Sequence, residues 1–250
     1  MVDFGGKLAD ASGKVITKYF RKNFYLKTKK DKSPVTIADL EAEKVMRGMI
    51  EKRFDDHGIM GEEFGNKNIE ADYIWTLDPI DGTKSFAVGR PIFGTLISLN
   101  YRGKPLLGII DQPITKERWV GVPGKTTFNK RIVKTRKGTT INEAVISTTS
   151  PDLFSEADLE QFDKVKSRTK YSVYGGDCYS YGLLASGFND IVIETGLKPH
   201  DFCALAPVLE GAGAVFTDWN GERIRDNSDG KVVATSNRKL HELVLRILNG

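Results

Sequence analysis

The stretch Trp75-Thr-Leu-Asp-Pro-Ile-Asp-Gly-Thr-Lys-Ser-Phe86 places two carboxylates, a proline and a Gly-Thr pair close together. That combination suits a metal-phosphate site. Asp78 and Asp81 offer hard oxygen ligands, and magnesium favours a few carboxylate oxygens together with a substrate phosphate. Gly82 permits close backbone approach, and N–H groups opening a helix near Thr83 would meet an anion with the positive end of the helix dipole. D-x-x-D alone carries little information, because charged residues are common. Its flanks sharpen it. Gly61-Glu62-Glu63 follows the apolar Gly58-Ile-Met and reads as a second strand ending in adjacent acids, and Asp201 opens an apolar helical run reaching Gly213.

The elements that must hold these residues follow from local pattern. Trp75, Thr76 and Leu77 have strand character, and Pro79 is expected to stop the ladder by removing a backbone donor. Leu8, Ala11, Val15, Ile16, Tyr19 and Phe20 recur at three- and four-residue steps, which predicts an amphipathic helix before the basic loop Lys27–Lys32. Ser33-Pro34 marks a turn, and Thr36-Ile-Ala-Asp39 has capping spacing for a second helix carrying Val45, Met46, Met49, Ile50 and Phe54. Strands are expected near 73–77, 93–100, 106–110, 118–122 and 145–149, with turns at Gly103-Lys104 and Pro123-Gly124. Residues 1–150 thus read as an α+β lobe of paired helices and a mostly antiparallel sheet. After Pro151, helices at 158–165, 178–186, 201–212 and 240–248 alternate with strands at 191–194, 215–217 and 232–236. Residues 151–250 therefore read as an α/β lobe, joined without a long linker into one compact unit.

Composition narrows the function classes. Among 250 residues, no apolar run approaches the ~20 residues of a membrane span, and the N-terminus lacks the basic-then-apolar layout of a secretory signal. The expectation is a soluble cytoplasmic protein. A net charge of +4 is a mild excess, and the cluster Lys27–Lys32 is short and lacks interleaved aromatics, which argues against nucleic-acid binding. Cys178 and Cys203 stand far apart and read as reduced thiols. His57, His200 and His241 lack the close pairing of a zinc site.

With Gly-Glu-Glu, Asp-Pro-Ile-Asp-Gly-Thr and the later Asp201 in that order, the chain resembles the magnesium-dependent, lithium-sensitive inositol monophosphatase superfamily. The similarity is collinear from Pro34-Val-Thr-Ile-Ala-Asp39 to Asp218-Trp219. Lys84–Gly94, Tyr174-Gly-Gly-Asp-Cys-Tyr179 and Gly196-Leu-Lys-Pro199 are similar to its histidinol-phosphate phosphatase branch. The resemblance implies a layered αβαβα sandwich with the site between its halves, a homodimer, and hydrolysis of a small phosphorylated alcohol, with L-histidinol phosphate foremost. Inositol 1-phosphate, fructose 1,6-bisphosphate and 3′-phosphoadenosine phosphate are the alternative substrates. A role as a protein partner in transcription or ribosomal RNA complexes is the alternative of another class.

Carried onto this sequence, the resemblance implies two to three Mg2+ ions. Glu62, Asp78 and the Ile80 carbonyl would bind the first, Asp78, Asp81 and Asp201 the second, and a weaker third would lie near Glu62, Glu63 and Asp39. Glu62 and Thr83 would orient the attacking water, Asp39 would position Thr83, and the Gly82 and Thr83 amides would hold the phosphate. Asp39 could instead only reinforce a helix start, and Asp201 could be a helix cap. For the alcohol, the resemblance points to Glu194. Asp177, after Gly175-Gly176, could reach the ligand from a loop and meet an ammonium group, or could cap the helix near Cys178.

Overall fold

The computed structural model describes residues 1–22, 27–28 and 34–250. The basic cluster Lys27–Lys32 and the Ser33 turn lie outside the described residues, apart from the backbone of β1 (Lys27–Thr28), which pairs with β2 (Pro34–Val35).

Helix α1 (Val2–Tyr19) forms where the apolar periodicity places it, burying Leu8, Ala9 and Ile16. Helix α2 (Ile37–Arg53) opens on the expected capping box: Thr36 Oγ1 accepts from the Ala38 and Asp39 amides, and Asp39 Oδ2 accepts from the Thr36 amide at 2.8 Å. Such a cap contributes about 1 kcal/mol. Met46 and Ile50 are fully buried, whereas Val45 faces solvent because it lies off that stripe.

The first sheet contains β3 (Gly58–Gly61), β4 (Gly65–Lys67), β5 (Tyr73–Asp81), β6 (Gly94–Tyr101), β7 (Lys104–Gln112), β8 (Glu117–Val122), β9 (Lys125–Phe128) and β10 (Arg131–Ile132). Its order is β10-β9-β8-β7-β6-β5-β3-β4, antiparallel except for β3 beside β5. The one-turn helix α3 (Thr83–Ala87) follows β5. The second sheet has the order β12-β11-β13-β15-β14, from β11 (Val145–Thr148), β12 (Tyr171–Tyr174), β13 (Ile191–Glu194), β14 (Val215–Asp218) and β15 (Val232–Thr235). Helices α4 (Glu156–Lys166), α5 (Asp177–Ala185), α6 (Pro199–Phe202), α7 (Leu205–Ala212) and α8 (Arg238–Leu248) complete the chain. The crossing into the second sheet comes at β11, before the change of pattern at Pro151.

Five layers result. Helices α1 and α2 pack on one face of the large sheet around Trp75, Leu77 and Ile109, and α5 and α7 fill the space between the sheets. Helices α4 and α8 cover the outer face of the small sheet around Phe162 and Val244. This is the expected αβαβα arrangement.

Three local expectations change. Pro79 does not end its strand: β5 runs on to Asp81 through an irregularity between Asp78 and Asp81, and pairing resumes at Asp81 opposite Gly94. A proline is accommodated there because the bulge asks no ladder bond of its nitrogen. The run from Asp201 to Ala212 is not one helix but α6 and α7. Pro207 has no N–H for the Cys203 carbonyl, and the Ser98 hydroxyl donates to that carbonyl instead at 3.3 Å. The short strands β4, β10 and β12 are largely exposed and β9 buries only Thr126, without a clear alternation, so no strand pattern announces them.

Helix α7 approaches the large sheet where Gly108 and Gly121 stand opposite each other on β7 and β8. A Cβ on Gly121 would collide with the Pro207 carbonyl and the Val208 Cα, both backbone atoms that cannot turn aside. Gly121→Ala is therefore expected to destabilise the fold by about 3 kcal/mol or more. Thermal unfolding checks this, and an unchanged midpoint would contradict the packing.

Candidate metal and phosphate site

Strands β3 and β5 run parallel with Gly61 opposite Leu77, and the Glu62 amide donates to the Leu77 carbonyl at 3.2 Å. Two acidic strand ends are thereby laid side by side. Asp78 is buried, and its Oδ1 accepts from the Ile80 amide at 2.9 Å, which folds the bulge back on itself. Thr95, from β6, secures the same bulge by donating to the Pro79 carbonyl at 2.8 Å.

Asp201 reaches this place from α6, which packs on β5. Its Oδ2 accepts from the Lys198 amide at 2.7 Å, so it does stabilise a helix start, while Oδ1 lies 3.7 Å from His200 Nε2. Capping does not exhaust its role. Asp78, Asp81 and Asp201 each bring one carboxylate oxygen to within 4.8 Å of the others. Burial raises all three pKa values, and mutual repulsion adds to it: Glu62, Asp81 and Asp201 act on Asp78, and Asp177 and Asp201 act on Asp81. Acids gathered in this way hold their protons unless a cation replaces them. An all-oxygen donor set of this charge fits a hard divalent ion. Among the described residues no histidine or cysteine joins a metal-type cluster.

The candidate anion-binding turn is the one between β5 and α3. Gly82 has φ +91°, a left-handed backbone that glycine adopts without strain. Because α3 is only five residues long, its macrodipole is small, and the cradle consists of the individual N–H groups of its first turn. Thr83 Oγ1 donates to the Ile80 carbonyl at 3.1 Å. The expected link from Thr83 to Asp39 is not among the hydrogen bonds formed: Asp39 Oδ2 is taken by Thr36, and Oδ1 is buried without a hydrogen-bond partner. Burial, with a smaller repulsion from Glu62, pushes the Asp39 carboxyl up to about 6.

Asp177 does not cap α5. Gly176 holds the cap position, and Asp177 itself has φ +44°, after Gly175 at +76° and Gly176 at +147°. This left-handed run turns the Asp177 carboxylate onto the Gly82 turn, where it accepts from Ser85 Oγ at 3.1 Å and packs against Gly82. A Cβ on Gly82 would stand 2.6 Å from Asp177 Oδ2. The next amide, that of Cys178, donates to Asp81 Oδ2 at 2.5 Å, so α5 is capped by a residue of the acidic cluster. Burial raises the Asp177 carboxyl, with Arg90 and Lys84 opposing it.

Glu194 ends β13 and is 4% exposed. Its Oε1 accepts from the Thr149 amide at 2.9 Å and hydroxyl at 2.6 Å, and Oε2 accepts from Tyr181 at 3.3 Å. Burial pushes its carboxyl up to about 7. Thr149 and Tyr181 stand outside the motifs and Ser85 lies inside one without a sign of its role, since no motif marks a hydroxyl that orients an acid from another part of the chain. Two further acids have local duties: Asp218 accepts from the Asn220 and Glu222 amides of a turn, and Asp111 pairs with Arg118 at 2.6 Å.

The inositol monophosphatase family profile matches residues 1–250. The chain is 54% identical over 235 residues to a bifunctional phosphatase of Arabidopsis thaliana, IMPL2, chloroplastic, covering 93% of this chain and 68% of that one. It is 31% identical over 247 residues to a histidinol-phosphatase of Chlorobaculum parvum, covering 98% and 95%. Among solved structures, an inositol monophosphatase from Zymomonas mobilis superposes with a TM-score of 0.91 at 42% identity, covering 100% and 97%.

Proposed function

Because the chain belongs to the inositol monophosphatase family of metal-dependent phosphate monoester hydrolases, we propose that it is a magnesium-dependent hydrolase of L-histidinol phosphate. The convergence of Asp78, Asp81 and Asp201 beside the Gly82 turn carries the metal-dependent hydrolase part of this reading, because it sets hard-cation ligands against an anion cradle, and the likeness to a histidinol-phosphatase supports the alcohol. The proposed ligands are Glu62, Asp78 and the Ile80 carbonyl for one ion, and Asp78, Asp81 and Asp201 for a second. Magnesium, when bound, lowers the pKa of water and neutralises the phosphoryl and leaving oxygens.

Within that frame the chain's own groups divide the work. Glu62 accepts a hydrogen bond from the attacking water, and the Thr83 hydroxyl fixes the water's second direction. The Gly82 and Thr83 amides hold phosphoryl oxygens in place for in-line attack. The P–O bond to the alcohol breaks as the bond to water forms, giving inorganic phosphate and the free alcohol. No side chain is phosphorylated. Asp39, which caps α2 through the Thr36 amide, fixes the start of that helix near Glu62.

For the alcohol, Asp177 and Glu194 supply negative charge suited to the ammonium group of histidinol. Glu194→Gln and Asp177→Asn are expected to weaken L-histidinol phosphate by about 1–3 kcal/mol in kcat/KM, with a smaller change for an ester of an uncharged alcohol. Equal losses on both esters would remove these acids from substrate recognition. Calcium is expected to inhibit, because its longer bonds and higher coordination number misplace the reacting oxygens. Turnover sustained by calcium would contradict the ligand assignment.

Residence in the cytoplasm and a homodimeric state belong to this proposal. Two buried free cysteines agree with a reducing compartment, and no helix among the described residues is long and apolar enough to cross a membrane. Phosphate release from L-histidinol phosphate, inositol 1-phosphate, fructose 1,6-bisphosphate and 3′-phosphoadenosine phosphate tests the substrate. The highest kcat/KM is expected on the first, and preference for another would overturn the substrate while leaving the hydrolase.

A further inference from the structure

Asp39, Glu43 and Arg47 follow one another at four-residue steps along α2 and so share one face of the helix. Glu43 is fully buried, although no substrate role falls to it. Its Oε2 accepts from the Glu63 amide at 2.7 Å, and its Oε1 accepts from the Phe64 amide at 3.1 Å and from Arg47 Nη1 at 3.1 Å. Arg47 Nη1 also donates to the Gly65 carbonyl at 2.8 Å. Burying a carboxylate is costly unless such partners compensate it. Here the compensating donors are the amides of one particular turn.

We propose that Glu43 and Arg47 are positioning residues for Glu62, clamping the turn between β3 and β4 so that the Glu62 carboxylate is held against Asp78. Glu62 sits between two anchors. On one side its own amide is tied to the Leu77 carbonyl of β5, and on the other the next two amides are tied to Glu43. Gly61 completes the device, since a Cβ there would collide with Glu43 Oε1. One helix thus connects Asp39 at its first turn with the turn that carries Glu62. Outer partners of this kind orient ligands without touching the ion, and their loss weakens metal binding.

This inference rests on the magnesium reading of the site, and its test separates the two. In the full chain, Glu43→Gln is expected to weaken magnesium binding about tenfold or more by calorimetric titration, as loss of an outer partner does. Amide exchange at Glu63 and Phe64 is expected to quicken by at least about tenfold, reporting local opening of the turn. KM for the phosphate ester at saturating magnesium should stay within about twofold of wild type, since the substrate contacts are untouched. Arg47→Met should act in the same direction with smaller size.

A Glu43→Gln protein that is less stable yet binds magnesium and protects both amides as wild type does would reduce Glu43 to a structural residue and overturn the proposal. If Glu43→Gln does not fold, Arg47→Met decides: unchanged magnesium affinity and unchanged amide exchange overturn it as well. Failure of the wild-type protein to take magnesium would sink the metal reading and the Glu62 role built on it, while exchange at the two amides would still show whether the clamp exists.

Discussion

Asp81→Asn is expected to abolish turnover while leaving the fold intact and raising the stability of the metal-free protein. The carboxylate is one of three converging oxygens, and its replacement removes a negative ligand at the place where charge develops during phosphoryl transfer. The loss should be at least about 3 kcal/mol, or a hundredfold or more in kcat, comparable to deleting a strong oxyanion donor. Shape is conserved, because the amide oxygen of asparagine can still accept from the Cys178 N–H that caps α5. Stability should rise because Asp81 is repelled by Asp177 and Asp201 in the absence of a cation. Half of wild-type turnover at saturating magnesium would contradict the ligand assignment, and a loss of both activity and fold would make Asp81 a structural residue.

Metal-free protein is expected to be more stable at pH 5 than at pH 8, with magnesium reversing the order. Burial raises Glu194 from 4.5 to about 7 and Asp39 from 3.8 to about 6. A group whose folded pKa lies above its unfolded value contributes stability that is fully present below the unfolded pKa and is lost as pH rises through the folded one. For Glu194 the window runs from 4.5 to about 7, and the loss across it is about 3 kcal/mol. Asp39 loses its share between 3.8 and about 6, and the raised values of Asp78, Asp81 and Asp201 act in the same sense. Magnesium binds the ionised forms, so it should stabilise strongly at pH 8 and weakly at pH 5, where protons compete with it. Urea unfolding at both pH values, with chelator and with magnesium, measures this. Equal stability at the two pH values with no response to magnesium would contradict the acidic cluster.

These expectations draw on features with different visibility in the sequence. The capping box at Thr36 and Asp39 and the amphipathic stripe of α1 are local, so spacing alone announces them. Asp78, Asp81, Gly82 and Asp201 are named by their motif neighbours, and the structure brings the three acids together. The continuation of β5 through Pro79 is not written locally, because it depends on Gly94 and Thr95 of β6 receiving the bulge. The same holds for the two acids proposed to meet the alcohol. Asp177 is fixed by Ser85 and Glu194 by Thr149 and Tyr181, and the first two of these bonds join residues far apart in the chain. The break between α6 and α7 could have been read from Pro207, whose missing donor falls on the fourth residue after Cys203. Glu43 had a signal too: it lies one helical turn beyond Asp39 on the same face.

The most direct test is phosphate release from L-histidinol phosphate by the purified chain, followed through chelation and magnesium readdition. The account predicts turnover that falls at least about a hundredfold when the metal is removed, the scale of losing metal-held charge stabilisation, and returns when magnesium is restored. Phosphate release that continues unchanged in excess chelator would contradict it.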